Sequence, residues 1–174
     1  NLEALWHLDE PTGSTTIIDS NGASNGTATN TALGVSGKFN TSANFNGTSS
    51  YVKFGNNIFN SMTQGTLSAW INIPLQISNG AAVEIFSTAS STSANSMFVV
   101  DVFGDSPTTM KFRVGARTAL NYVYGDSNIV PNQWYHVVVS ATGSIWTLYV
   151  NGVQQSITVS NGTNAGTWFS TEVS

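Results

Sequence analysis

No stretch of this sequence sustains a 3.6-residue apolar period. Its apolar residues come in short bursts rich in β-branched and aromatic types, divided by Gly, Asn, Ser and Thr. The bursts fall at 3–8, 39–46, 50–54, 66–73, 83–88, 96–103, 109–114, 119–124, 134–141, 144–151 and 154–159. Strands at that spacing, with no helix between them, predict an all-β fold: an antiparallel two-sheet sandwich spanning 1–174 as one domain. The longest irregular piece is 9–37, punctuated by Pro11-Thr12-Gly13, Asp19-Ser20-Asn21-Gly22 and Asn25-Gly26. A loop of that length calls for a wrapping role or a bound ion. A second polar run, Ser87 to Asn95, reads as a mobile surface loop.

The stretch QWYHVVVSATGSIWTLYVNG, residues 133–152, shows what the aromatic residues are for. Neither of its two runs has one cleanly polar face, as expected of inner strands covered on both sides. Gly143-Ser144 supplies one tight turn. Val150-Asn151-Gly152-Val153 supplies another, because Asn-Gly readily takes the positive φ values of hairpin turns. Trp134, Trp146 and Tyr149 are therefore expected to be sheet residues, with Trp70 also in the interior, and His136 a structural histidine.

Only 8% of residues are charged, against a usual figure of about 25%. Asn, Ser, Thr and Gly replace the missing charge, a composition met on some extracellular and virion surfaces. The net charge is −4, and five basic residues lie scattered along the chain. Nucleic-acid binding needs clustered cations to displace counterions, so that partner is excluded. The chain has no cysteine, which removes thiolate chemistry and Cys-based zinc sites. No apolar run reaches the ~18 residues of a membrane-spanning helix. Asn25, Asn40, Asn46 and Asn161 each open an Asn-x-Ser/Thr sequon.

Four blocks then occur in a recognisable order. They are Ala4-Leu5-Trp6-His7-Leu8-Asp9-Glu10; Gly37-Lys38-Phe39 through Ala43-Asn44-Phe45-Asn46-Gly47 to Tyr51-Val52; Thr66-Leu67-Ser68-Ala69-Trp70-Ile71; and Gln133-Trp134-Tyr135-His136-Val137 with Leu148-Tyr149-Val150-Asn151-Gly152. Over residues 4–152 the chain resembles the laminin-G-like domains of the concanavalin A-like lectin/glucanase superfamily. The resemblance implies a jelly roll of two curved antiparallel sheets and a mostly non-catalytic role: binding glycans or proteins, or spacing domains in secreted and surface proteins. It also implies further strands beyond Gly166-Thr167-Trp168-Phe169-Ser170. The expectation is thus a jelly roll lacking its final strand or strands, with another domain, subunit or segment covering the C-terminal edge, since an open edge rich in β-formers invites pairing.

An enzyme of this superfamily would cut glycosidic bonds with two carboxyl groups about 5–9 Å apart. The Glu-x-Asp-x-(x)-Glu pattern is absent. Glu84 stands alone, and Gly104-Asp105-Ser106-Pro107 reads as a turn that takes Asp105 out of the strand carrying Asp101. No nucleophile motif, zinc spacing or phosphate loop is present. The sequence does not read as an enzyme.

A structural calcium is the cofactor to test. Asp19, Asn21 and a flexible Gly22 offer oxygen ligands, with a plain Asx-turn as the rival. The resemblance adds the segment around Ser42 and a C-terminal acid. For a ligand face, Tyr122 and Tyr124 alternate onto one strand face, with Asp126 and Asn128 following in the loop. Trp168 with Phe169 forms a second candidate. The expected function is a non-catalytic binding or adhesion module of an extracellular or surface protein, recognising glycans. The alternative is a structural or assembly domain making protein contacts, and a glycoside hydrolase is a minor third reading.

Overall fold

The computed structural model describes residues 1–22, 24–55, 58–89, 97–117 and 120–169. The chain divides into two compact units, Asn1–Ile58 and Phe59–Ser174.

Among its described residues the second unit holds two antiparallel sheets. One runs in the order β14 (Ile157–Asn161), β10 (Asn121–Asn128), β9 (Thr109–Ala116), β8 (Met97–Ser106), β7 (Ala82–Ala89). The other runs β13 (Val153–Gln154), β12 (Trp146–Val150), β11 (Trp134–Ala141), β6 (Gly65–Asn72). Side-chain alternation decides their packing. Tyr135, Val137, Val139 and Ala141 of β11 are buried while the even positions between them are half-buried. On β12 the buried set is Trp146, Leu148 and Val150. Both sets join Phe98, Val100, Val102, Phe112, Val114 and Val123 of the other sheet in one cluster, so the sheets pack face to face. Each such side chain is worth about 1.5–3 kcal/mol of burial. This is the all-β antiparallel sandwich that the bursts predict.

The turn at Asn151-Gly152 forms as expected: both residues have positive φ, 50° and 78°, and Val150 pairs with Val153. Asn151 also ties the turn to β11 from its side chain, its Oδ1 accepting the His136 amide at 2.9 Å. His136 is held structurally, with Nε2 2.7 Å from Ser68 Oγ. Trp70 departs from expectation. It sits on the face of β6 turned from the main core, 41% exposed, with its ring 5.2 Å from that of His136.

The expected strand 154–159 is in fact two strands, β13 and β14, one in each sheet. Gln155, 4% exposed, marks the crossing. Its backbone N–H donates to Leu148 O on one sheet while its Oε1 accepts from Ser127 N on the other. Asp105 does not leave its strand either. β8 continues to Ser106, and Asp105 lies where the register shifts between Gly104 and Ser106, a bulge ahead of the turn at Pro107-Thr108.

Among its described residues the first unit contains five short strands: β1 (Thr16–Ile17), β2 (Gly26–Thr29), β3 (Ala32–Ser36), β4 (Thr41–Asn44) and β5 (Tyr51–Lys53). They form a three-stranded sheet β1-β2-β5 and a two-stranded sheet β3-β4. Three of them lie inside the piece expected to be irregular, because runs such as GTAT carry no apolar alternation to betray them. Conversely, 3–8 is not a strand; its one bridge joins Trp6 to Asp19. Of the expected surface loop, Ser87–Ala89 belong to β7, and the rest lies outside the described residues, as do residues 170–174.

Candidate functional site

The face of the five-stranded sheet turned from the main core collects the unit's charge. Tyr122, Tyr124, Asp126 and Asn128 share one side of β10 by their period of two. Register then fixes their neighbours. Tyr124 lies opposite Arg113 of β9, Arg113 opposite Asp101 of β8, and Asp101 opposite Glu84 of β7, while Thr158 of β14 flanks Tyr124 on the other side. One row therefore crosses all five strands.

At its centre Arg113 grips Asp101 with two parallel bonds, Nε to Oδ1 at 2.9 Å and an η nitrogen to Oδ2 at 2.6 Å. The guanidinium lies between two rings, 4.2 Å from the centroid of Phe103 and 5.0 Å from that of Tyr122. Asp101 is 1% exposed. Burial pushes its carboxyl above the ordinary carboxylate range, Arg113 pulls it down through both its hydrogen bond and its charge, and Glu84 adds a smaller upward push. Lys111, opposite Asn128, donates to the carbonyl of Asp126.

Of the residues expected to meet a ligand, β10 thus brings four together. Asp126 and Asn128 are exposed, whereas Tyr122 and Tyr124 are half-buried. Trp168 belongs elsewhere. It is 1% exposed and packed edge-on against Phe98 and Phe169, so it offers no free ring for stacking. It and Phe169 close the core beside Phe59 and Phe86. The sequence reading missed Arg113, Asp101 and Phe103 as parts of this face. Counting back from Pro107-Thr108 in plain hairpin register sets Asp101 against Val114; the bulge at Asp105 shifts the pairing by one residue and brings Asp101 against Arg113, which no local pattern shows.

In the first unit the three residues expected to hold calcium are placed as follows. Asp19, 3% exposed, accepts the amides of Leu5 (2.8 Å) and Asn21 (2.9 Å) at Oδ1 and that of Ser24 (3.0 Å) at Oδ2. Asn21 Nδ2 donates to the carbonyls of Leu2 and Glu3. Ser42 Oγ donates to Ser36 O. N–H groups, the positive ends of backbone dipoles, thus face both oxygens of Asp19. Among the described residues no cluster of three His, Asp or Glu side chains is poised for a metal. Nearby, Trp6 stacks on Phe54 with centroids 3.8 Å apart, next to an open cleft lined by Asn25, Thr27, Lys53, Phe54 and Gly55.

None of the curated proteins matches this sequence. Among solved structures, the chain is similar to a crystal structure of an S-layer domain-containing protein (residues 221–444) from Clostridium thermocellum. The TM-score is 0.56 at 22% identity, over 89% of this chain and 71% of that one, a likeness of fold. The family model described as the concanavalin A-like lectin/glucanases superfamily matches residues 46–172. With its antiparallel two-sheet unit and that match, the chain belongs to the laminin-G-like family of the concanavalin A-like lectin/glucanase superfamily.

Proposed function

We propose that this chain is a non-catalytic β-sandwich module of a surface or extracellular protein, and that it makes contacts with another protein or a surface structure. One observation carries the reading: the polar, aromatic face of the five-stranded sheet is satisfied from within. Arg113 is bonded twice to Asp101 and sandwiched between Phe103 and Tyr122, so its charge and both rings hold the face rigid. Both Asp101 oxygens are taken up by Arg113 and the side chain is 1% exposed, so it is closed to a substrate, which argues against Asp101 and Glu84 as a hydrolytic pair. The fold likeness to an S-layer domain-containing protein supports a surface setting, as does a chain with 8% charged residues. Among the described residues no helix is long and apolar enough to cross a membrane.

Glycan recognition is the second reading, favoured by the exposed Asp126 and Asn128 beside Tyr124. The two are separated by presenting the purified chain to cells of its source. Loss of binding after protease shaving supports the protein contact. Loss only after periodate oxidation of surface sugars supports the glycan. Binding that survives both treatments, or none to untreated cells, defeats both readings.

A further inference from the structure

Six of the 16 glycines follow an asparagine: Asn21-Gly22, Asn25-Gly26, Asn46-Gly47, Asn79-Gly80, Asn151-Gly152 and Asn161-Gly162. Glycine, lacking a Cβ, lets its backbone nitrogen swing toward the side-chain carbonyl of the residue before it. In an unfolded chain the six pairs are chemically alike. The fold separates them.

Five are held in other bonds. Gly22 N donates to Asp19 O at 2.9 Å, with Asn21 Nδ2 tied to two carbonyls. Asn25 Oδ1 accepts from Asp19 N, and Gly26 is a strand residue paired with Ile17. Asn46 Oδ1 accepts the amides of Thr48, Ser49 and Ser50. Gly80 N donates to Gly104 O at 2.9 Å. Asn151 Oδ1 accepts the His136 amide. At the sixth pair the glycine amide points at its own asparagine: Gly162 N lies 2.9 Å from Asn161 Oδ1, on an exposed side chain. Gly162 is fixed there by packing. Its φ is +61°, and a Cβ would run into the side chain of Asn121.

We propose that Asn161 is a site of self-modification. The Gly162 nitrogen attacks Asn161 Cγ and forms a C–N bond, closing a succinimide. The bond from Cγ to the side-chain nitrogen breaks, and that nitrogen leaves as ammonia, carrying the proton released by the Gly162 amide. Water, which reaches this exposed position, then opens the ring at either carbonyl to give aspartate or isoaspartate. Proximity favours the step: Gly162 N lies 2.9 Å from Asn161 Oδ1, one bond from the Cγ it attacks, and it has only to release its hydrogen bond to that oxygen and turn onto the carbon. Its consequence falls on the sheet. Asn161 pairs with Tyr122 at the end of β14, and Thr163 N anchors the following turn to Asn121 Oδ1 at 2.8 Å. Isoaspartate lengthens the backbone at that pair and loosens the edge strand beside Tyr122.

The test is a peptide map of the folded chain incubated at mildly alkaline pH, run beside the same chain in urea. Folded, the Asn161 peptide is expected to acquire aspartate and isoaspartate several-fold faster than the other five. In urea the six rates are expected to converge. Asn161→Gln should abolish that product and leave the others unchanged. The proposal is overturned if another Asn-Gly pair leads in the folded chain, if the six keep the same relative rates with and without urea, or if the Gln variant still yields the product in that peptide.

Discussion

Tyr122 lays its ring on the bare backbone of Gly115, its partner across the β9–β10 ladder, where an added Cβ would overlap ring atoms Cδ1 and Cε1. The same ring covers Arg113 two residues away, so the glycine sets how low the ring lies over the guanidinium. Alanine at 115 is therefore expected to cost about 1–3 kcal/mol, the range for overpacking. In a Tyr122→Ala background the sign inverts. With no ring to strike, alanine is a better strand residue than glycine and gains about 0.5–1 kcal/mol. Urea unfolding of the four proteins of the cycle measures the coupling; additive effects would refute the ring-on-glycine contact.

Arg113→Met leaves Asp101 buried beside Glu84 with no counter-charge, at a cost of about 3–5 kcal/mol near neutral pH. The pH dependence has a definite sign. Burial already raises Asp101 above its ordinary value of 3.8, and the variant loses the two influences that lower it. Between the unfolded and the folded pKa the native state then binds more protons than the unfolded one, so stability falls as pH rises through that window. The deficit of Arg113→Met relative to the parent should shrink as pH drops into the carboxylate range. Replacing both partners, Asp101→Leu with Arg113→Met, should recover most of the loss. Denaturant midpoints across a pH series decide; a deficit that widens in acid contradicts the sign.

Two buried tryptophans predict different costs for one deletion. Trp146 Nε1 donates to Thr167 O at 2.8 Å, whereas Trp168 Nε1 is buried with no hydrogen-bond partner among the described residues. Trp→Phe at 146 forfeits a bond and leaves a carbonyl unpaired; at 168 it removes an unsatisfied donor. Trp146→Phe should be the more destabilising by about 1–3 kcal/mol. Equal losses in chemical unfolding would mean that the Trp168 N–H has a partner after all.

Asp19 ties Leu5, Asn21 and Ser24 together through their amides. Asp19→Asn keeps only one carbonyl oxygen for these donors and should cost the first unit about 1.5–3 kcal/mol. Calcium and a chelator are both expected to leave the unfolding temperature of the unsubstituted chain unchanged. A calcium-dependent rise would show that the loop rearranges to bind the ion.

Much of the second unit could be read from local pattern. Alternation alone places β6 to β12, because a strand with one face in a core must repeat every two residues, and Asn151-Gly152 names its own turn. The same period put Tyr122 and Tyr124 on one side of β10, but Asp126 and Asn128, expected in the loop after it, belong to the strand, which runs on to Asn128. In the first unit β4 and β5 fell inside the bursts at 39–46 and 50–54, whereas β1 to β3 escaped notice because polar residues build them and their pairing is not written in any single segment. Local pattern also left open which strands become neighbours. Register across three strands seats Arg113 on Asp101 and Tyr122 on Gly115, and core packing hides Trp168 while leaving Trp70 41% exposed. Periodicity states which side of a strand a residue takes; only long-range packing determines what covers that side. The sequence by itself determined the strands and their faces, and the tertiary structure decided which charges and rings on those faces are already spent on one another.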